Sequence, residues 1–184
     1  GITFKEIKNK EKAFAYLQKA EEKLNEVDKK DSDLNRSAFS IFKNLGVLYR
    51  NNGDFDKAIY YFNKAYVIAE QTDNSNNKAI VLNSLGILYK ERKEYNKAIN
   101  AFESSIKLKQ GNDNLPGISN SLRNLAELYL EIGNFKKAEE FYLISYNLSI
   151  QSKQIKQIYE SCSGLYGLYD KMKKNNLAYS YLKR

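Results

Sequence analysis

Apolar and polar positions alternate along the chain in two recurring patterns. From about residue 34, Phe39, Phe42, Leu45, Leu48 and Tyr49 follow one another at three- and four-residue steps, the spacing of one helix face rather than of a strand. Asn51-Asn52-Gly53 ends that face, because glycine can take the left-handed conformation that closes a helix. Asp54 can cap the next helix, whose stripe is Phe55, Ala58, Ile59, Phe62 and Ala65. The pattern predicts helices over about 34–51 and 54–72, packed antiparallel. Gly46 and Ala58 would let the two backbones approach, with Tyr49 and Phe62 filling the space beside them.

Both stripes return. Leu45-Gly46-Val47-Leu48-Tyr49 recurs as Leu85-Gly86-Ile87-Leu88-Tyr89, as Leu125-Ala126-Glu127-Leu128-Tyr129 and, more loosely, as Leu165-Tyr166-Gly167-Leu168-Tyr169, each copy 40 residues after the last. Phe55-Asp56-Lys57-Ala58-Ile59 keeps step as Tyr95-Asn96-Lys97-Ala98-Ile99, Phe135-Lys136-Lys137-Ala138-Glu139 and Asn175-Asn176-Leu177-Ala178-Tyr179. A fixed period of this length predicts an all-α fold, a solenoid of antiparallel helix pairs. The array is one domain over 1–184, divided into a partial repeat (1–33), three repeats (34–73, 74–113, 114–153) and a divergent one (154–184).

Within the array, residues 2–8 read as the tail of a helix, 10–28 as the second helix of the partial repeat, and Asp28 to Asp33 as a longer loop. The later helices are expected near 76–92, 94–110, 116–132 and 134–151. Lys93 stands where glycine stood, a substitution that costs about 1 kcal/mol in a left-handed turn. Gly111 to Asn114 marks the end of the next pair, and Pro116 falls in a first turn that tolerates it. In the last repeat Tyr166 replaces the small residue and Asn175 the aromatic. This leaves two expectations, altered packing of a terminal repeat or a differently docked final helix.

Charge changes this picture little. Thirty basic against 22 acidic side chains give a net charge of +8, which permits an acidic partner without demanding one. Neither part of the chain is strongly polarised, with 14 basic and 12 acidic residues in 1–80 and 16 and 10 in 81–184. With no histidine and one cysteine, Cys162, the sequence lacks a Ser-His or Cys-His pair and any multi-cysteine metal set. Glu21-Glu22 and Glu139-Glu140 are helix neighbours that point apart. The expectation is a non-enzyme with no cofactor and no metal. Nucleic acid is not an expected partner, because Tyr49, Tyr89 and Tyr129 fall on inter-helix positions instead of offering open stacking surfaces. No apolar run approaches a membrane span, so no membrane insertion is expected in this segment. The compartment stays open between cytoplasm and periplasm.

The paired signatures, Leu-Gly-x-x-Tyr followed by aromatic-x-x-Ala, resemble the tetratricopeptide repeat over residues 10–184. The 40-residue period is longer than the family's usual value of about 34, and is similar to the variant of kinesin light chains and bacterial tetratricopeptide sensors. The Lys-, Asn-, Tyr- and Ile-rich composition and the closing Asn176 to Arg184 are similar to repeat regions of Bacteroidetes-type sensor histidine kinases and regulators.

The resemblance implies an α-α superhelix whose first helices line a concave groove. Residues three before, one after and four after the small position would face it. These are Lys43, Val47 and Arg50, then Asn83, Ile87 and Lys90, then Arg123, Glu127 and Leu130, and last Ser163, Gly167 and Asp170. Lys43, Arg50, Lys90 and Arg123 would suit an extended, acidic and partly apolar peptide, with Asn83 bonding its backbone. Val47 and Ile87 stand where a chaperone-binding carboxylate clamp needs asparagine, so capture of a chaperone tail is not expected. The resemblance thus implies a protein- or peptide-binding module, the sensing or docking region of a larger bacterial signalling protein. The alternative is a free-standing scaffold that self-associates through open repeat ends.

Overall fold

A computed structural model describes residues 12, 14–22 and 32–182. Among these residues every element is a helix and no strand occurs. The helices are α1 (described at residues 14–22), α2 (Ser32–Asn51), α3 (Phe55–Gln71), α4 (Ser75–Glu91), α5 (Tyr95–Gln110), α6 (Leu115–Glu131), α7 (Phe135–Gln151), α8 (Ile155–Lys171) and α9 (Asn175–Leu182). The expected helix tail over 2–8 and most of the loop over 28–33 lie outside the described residues. Ser32 and Asp33 already belong to α2.

One turn design joins α2 through α9. The residue in left-handed conformation falls at 53, 73, 93, 113, 133, 153 and 173, glycine at 53 and 133 and otherwise Asp or Lys. At each turn the next backbone N–H returns to a carbonyl five residues back, as from Asp54 to Tyr49 (3.0 Å), Glu94 to Tyr89 (2.9 Å) and Lys174 to Tyr169 (2.9 Å). This bond closes the helix end. Lys93 takes φ +60° as expected, whereas Gly111 keeps a right-handed φ of −62° and Asp113 bears the positive one. The following helices are capped by side chains that accept a backbone N–H three residues on: Asp54 from Lys57 (3.2 Å), Asn74 from Asn77 (2.9 Å), Asn114 from Gly117 (2.9 Å) and Asn134 from Lys137 (3.2 Å).

Packing forms two compact units, Gly1–Leu88 and Tyr89–Arg184. In the first, α2 lies so close to α3 that a Cβ at Gly46 would stand 2.6 Å from the Phe62 ring. Phe39, Phe42, Leu45, Ala58, Phe62, Ala65 and Ala69 are buried. Tyr61 stacks on Tyr49 (5.2 Å between ring centres), and its hydroxyl donates to Glu21 of α1 at 2.8 Å. Burial first, and the Glu21 carboxylate second, push the Tyr61 phenol up from its ordinary pKa.

In the second unit, consecutive helices from α5 to α9 pack on one another. Leu125, Leu128 and Tyr129 of α6 have buried counterparts in Leu165, Leu168 and Tyr169 of α8. The divergent last repeat therefore keeps its register: Tyr166 is half-buried, Ala178 is buried, and Tyr169 stacks on Tyr181 of α9. A buried polar seam crosses this unit. Ser119 and Ser145 exchange bonds through hydroxyls and carbonyls (2.8–3.0 Å), Ser145 meets Ser161 at 3.0 Å, and Ser121 lies 3.3 Å from Ser105. Lys109, only 4% exposed, donates from Nζ to Ser121 Oγ (2.7 Å) and the Gly117 carbonyl (3.1 Å). Burial pulls its pKa down to about 8.

Candidate functional site

The expected groove residues divide between the two units. In the first, Lys43 and Val47 of α2 are half-buried, as is Arg50, whose Nη2 donates to Asn51 at 3.1 Å. Ile87 of α4 is also half-buried. Asn83 is 8% exposed, so it offers a ligand little surface and acts as a packed polar residue.

In the second unit three expected residues meet. Glu127 of α6 takes Lys90 on one carboxylate oxygen (2.9 Å) and Arg123, one turn earlier, on the other. Arg123 also donates from Nη2 to Asn120 (2.9 Å), and its Nε stands 3.4 Å from Glu160 of α8 without a hydrogen bond. Glu160's other oxygen is 3.9 Å from the exposed Lys156. The two cations expected to attract an acidic ligand are thus already met by carboxylates. Lys43, in contrast, has no acidic partner among the described residues.

Beside this network opens a cavity of about 360 Å³, lined among others by Arg123, Glu127, Leu130, Tyr142, Tyr159 and Glu160. The Tyr142 ring lies on α8 where Gly164 has no side chain; a Cβ there would be 2.2 Å from it. Burial pushes the Tyr142 phenol up, and the Glu127 charge adds to the shift. Gly167 has nothing within 4 Å of where its Cβ would stand. Ser163 and Asp170, the remaining expected positions on α8, are exposed.

Asn120 and Glu160 were missed by the reading of the sequence. Both stand six residues before the small position of their repeat, the same helix face one turn closer to the N-terminus. Extending the face rule by that turn finds them. Sequence gave no sign of the pairing itself, since Lys90 and Glu127 are 37 residues apart.

Two tetratricopeptide repeat family profiles match the sequence, one over residues 37–111 and one over 121–152. The chain belongs to the tetratricopeptide repeat family. No curated protein matches it significantly. Among solved structures it is similar to BtubC from P. vanneervenii, with a TM-score of 0.78 and 19% identity over 96% of this chain and 71% of that one. It is also similar to a Rap protein complexed with Competence and Sporulation Factor (TM-score 0.82, 17% identity, 96% and 48%). A third is the Rap conjugation gene regulator of plasmid pLS20 in complex with the Phr* peptide (TM-score 0.75, 19% identity, 96% and 47%). The chain spans about half the length of either Rap structure. At these identities the likeness gives the fold alone, tetratricopeptide helix pairs. No described helix is long and apolar enough to cross a membrane.

Proposed function

We propose that this tetratricopeptide array captures an extended peptide or protein segment through the exposed face of its first helices, as the sensing or partner-docking region of a larger bacterial signalling protein. The observation that carries the reading is the half-buried mixture of apolar and charged side chains on that face. In the first unit Val47 and Ile87 supply apolar contact and Lys43 and Arg50 polar groups; in the second, Leu130 and the Lys90–Glu127–Arg123 network do the same. That mixture suits a backbone-bound segment with alternating side chains. The acidic preference rests on Lys43, because Glu127 already neutralises Lys90 and Arg123.

The test is an immobilised library of N-acetylated, C-amidated octapeptides probed with the chain. Retained peptides should bind the Lys43→Glu, Arg50→Glu double variant at least tenfold more weakly while its circular dichroism is unchanged. Equal affinity in the folded double variant removes the assignment.

A second reading, self-association, is favoured by the exposed Ile155 (82%) and Tyr179 (60%) of the last repeat. Sedimentation equilibrium decides it: a dimer that Ile155→Glu dissociates supports it, and a monomer at all concentrations ends it.

A further inference from the structure

We propose that the recess over Gly167 receives the primary amide of a glutamine or asparagine side chain from the docked peptide. This rests on the peptide-docking reading above and names the group that one part of the face recognises. Gly167 takes the place held by Val47, Ile87 and Glu127 in the earlier repeats. With no side chain there and nothing within 4 Å of its missing Cβ, the cavity of about 360 Å³ opens beside it.

The chemistry of the walls selects the ligand. Arg123 and Glu127 are bonded to each other, and Lys90 holds the second Glu127 oxygen. Glu160 is ion-paired with Arg123 and Lys156 at 3.4 and 3.9 Å but accepts no hydrogen bond among the described residues, so its oxygens can still take one. Of the wall's hydroxyls that make no hydrogen bond among the described residues, those of Tyr142, Tyr159 and Ser163, that of Tyr142 belongs to the most buried residue. Tyr142 is 2% exposed, and its hydroxyl is not among the polar atoms sealed from solvent. Lys90, Arg123 and Lys156 stand against Glu127 and Glu160, so both carboxylates of the recess already have an opposite charge near them. A ligand carboxylate would meet Glu160 and find Arg123 bonded to Glu127 and Asn120 with its Nε sealed from solvent, and a ligand ammonium would meet Arg123 and Lys90. An amide satisfies both open groups at once, its carbonyl oxygen accepting from Tyr142 and its NH₂ donating to Glu160. Leu130 and Tyr159 flank the recess and cover the apolar stem of the incoming side chain.

The octapeptide library is rescanned with glutamine, glutamate, leucine and alanine at each position, against the full chain and the variants Gly167→Ile and Tyr142→Phe. Isoleucine is the residue at the matching position of an earlier repeat, Ile87, so it fits that place on a first helix. The expected result is one position where glutamine exceeds glutamate and alanine about tenfold. Gly167→Ile should erase that preference while leaving the other positions unchanged, and Tyr142→Phe should reduce it with the fold intact. A glutamine preference that survives Gly167→Ile, or retained peptides with no amide preference anywhere, overturns the recess assignment alone. If the chain retains no peptide, the docking reading fails and the recess falls with it.

Discussion

Equivalent repeat positions are filled in opposite ways in the two units. In the first, Ala65, Ala69 and Val81 are fully buried and apolar. Forty and 80 residues later the same places hold Ser105 and Ser145, Lys109 and Ser149, and Ser121 and Ser161, all buried as well. Both sets are carried by helices with the same turns and nearly the same length. What the repeat demands at these positions is therefore mainly small size, which lets helices approach. A hydroxyl is tolerated when another helix supplies its partner, as Ser145 does for Ser119 and Ser161. Lys109 goes further and buries an ammonium on neutral oxygens alone, a choice that lowers its pKa to about 8.

The comparison can be broken most severely by moving the lysine. Ala69→Lys places an ammonium among fully buried apolar side chains and should cost about 4 kcal/mol, seen as a large drop in the urea midpoint. A loss below about 1 kcal/mol would mean that the first unit also holds oxygens able to receive a cation.

The reverse exchange sharpens the contrast. The folded Lys109 loses its proton near pH 8 and the unfolded chain near the ordinary 10.5. Between those values the unfolded chain binds more protons, so stability rises with pH; below pH 8 the penalty is full and constant. Lys109→Met should flatten that rise and add about 2 kcal/mol at pH 7. A rise between pH 8 and 10.5 that persists in the variant would assign it to another group.

The smallest effect concerns the serines. Ser145→Ala removes the hydroxyl partner of Ser161 and Ser119 and should cost about 1–2 kcal/mol. Replacing Ser119, Ser145 and Ser161 together by alanine should cost less than the sum of the three single changes, since no hydroxyl of that chain is left unpaired. Strict additivity in a double-mutant cycle would contradict the coupling.

Most helix ends were legible because they depend on neighbours in sequence. The expected 54–72 is Phe55–Gln71 and the expected 134–151 is Phe135–Gln151, each set by a capping Asp or Asn and a polar turn. Ser119, Ser145 and Lys109 gave no warning of burial. The period places them on the packed face, but polarity alone reads as exposure. Counting from Gly46-type positions named Lys90, Arg123 and Glu127, which meet in one network, and stopped one turn short of Asn120 and Glu160, which touch it.

The sequence by itself determined the 40-residue period, the helix pairs, the small positions and the face on which charged residues gather, because each depends on spacing along one helix. Only the tertiary structure decided which charges are already matched and which polar groups remain open. Arg123 meets Glu160 of another helix, and the Tyr142 ring packs against Gly164 while its hydroxyl makes no hydrogen bond among the described residues. Such pairings join residues tens of positions apart, where side-chain reach and burial, not periodicity, settle the outcome.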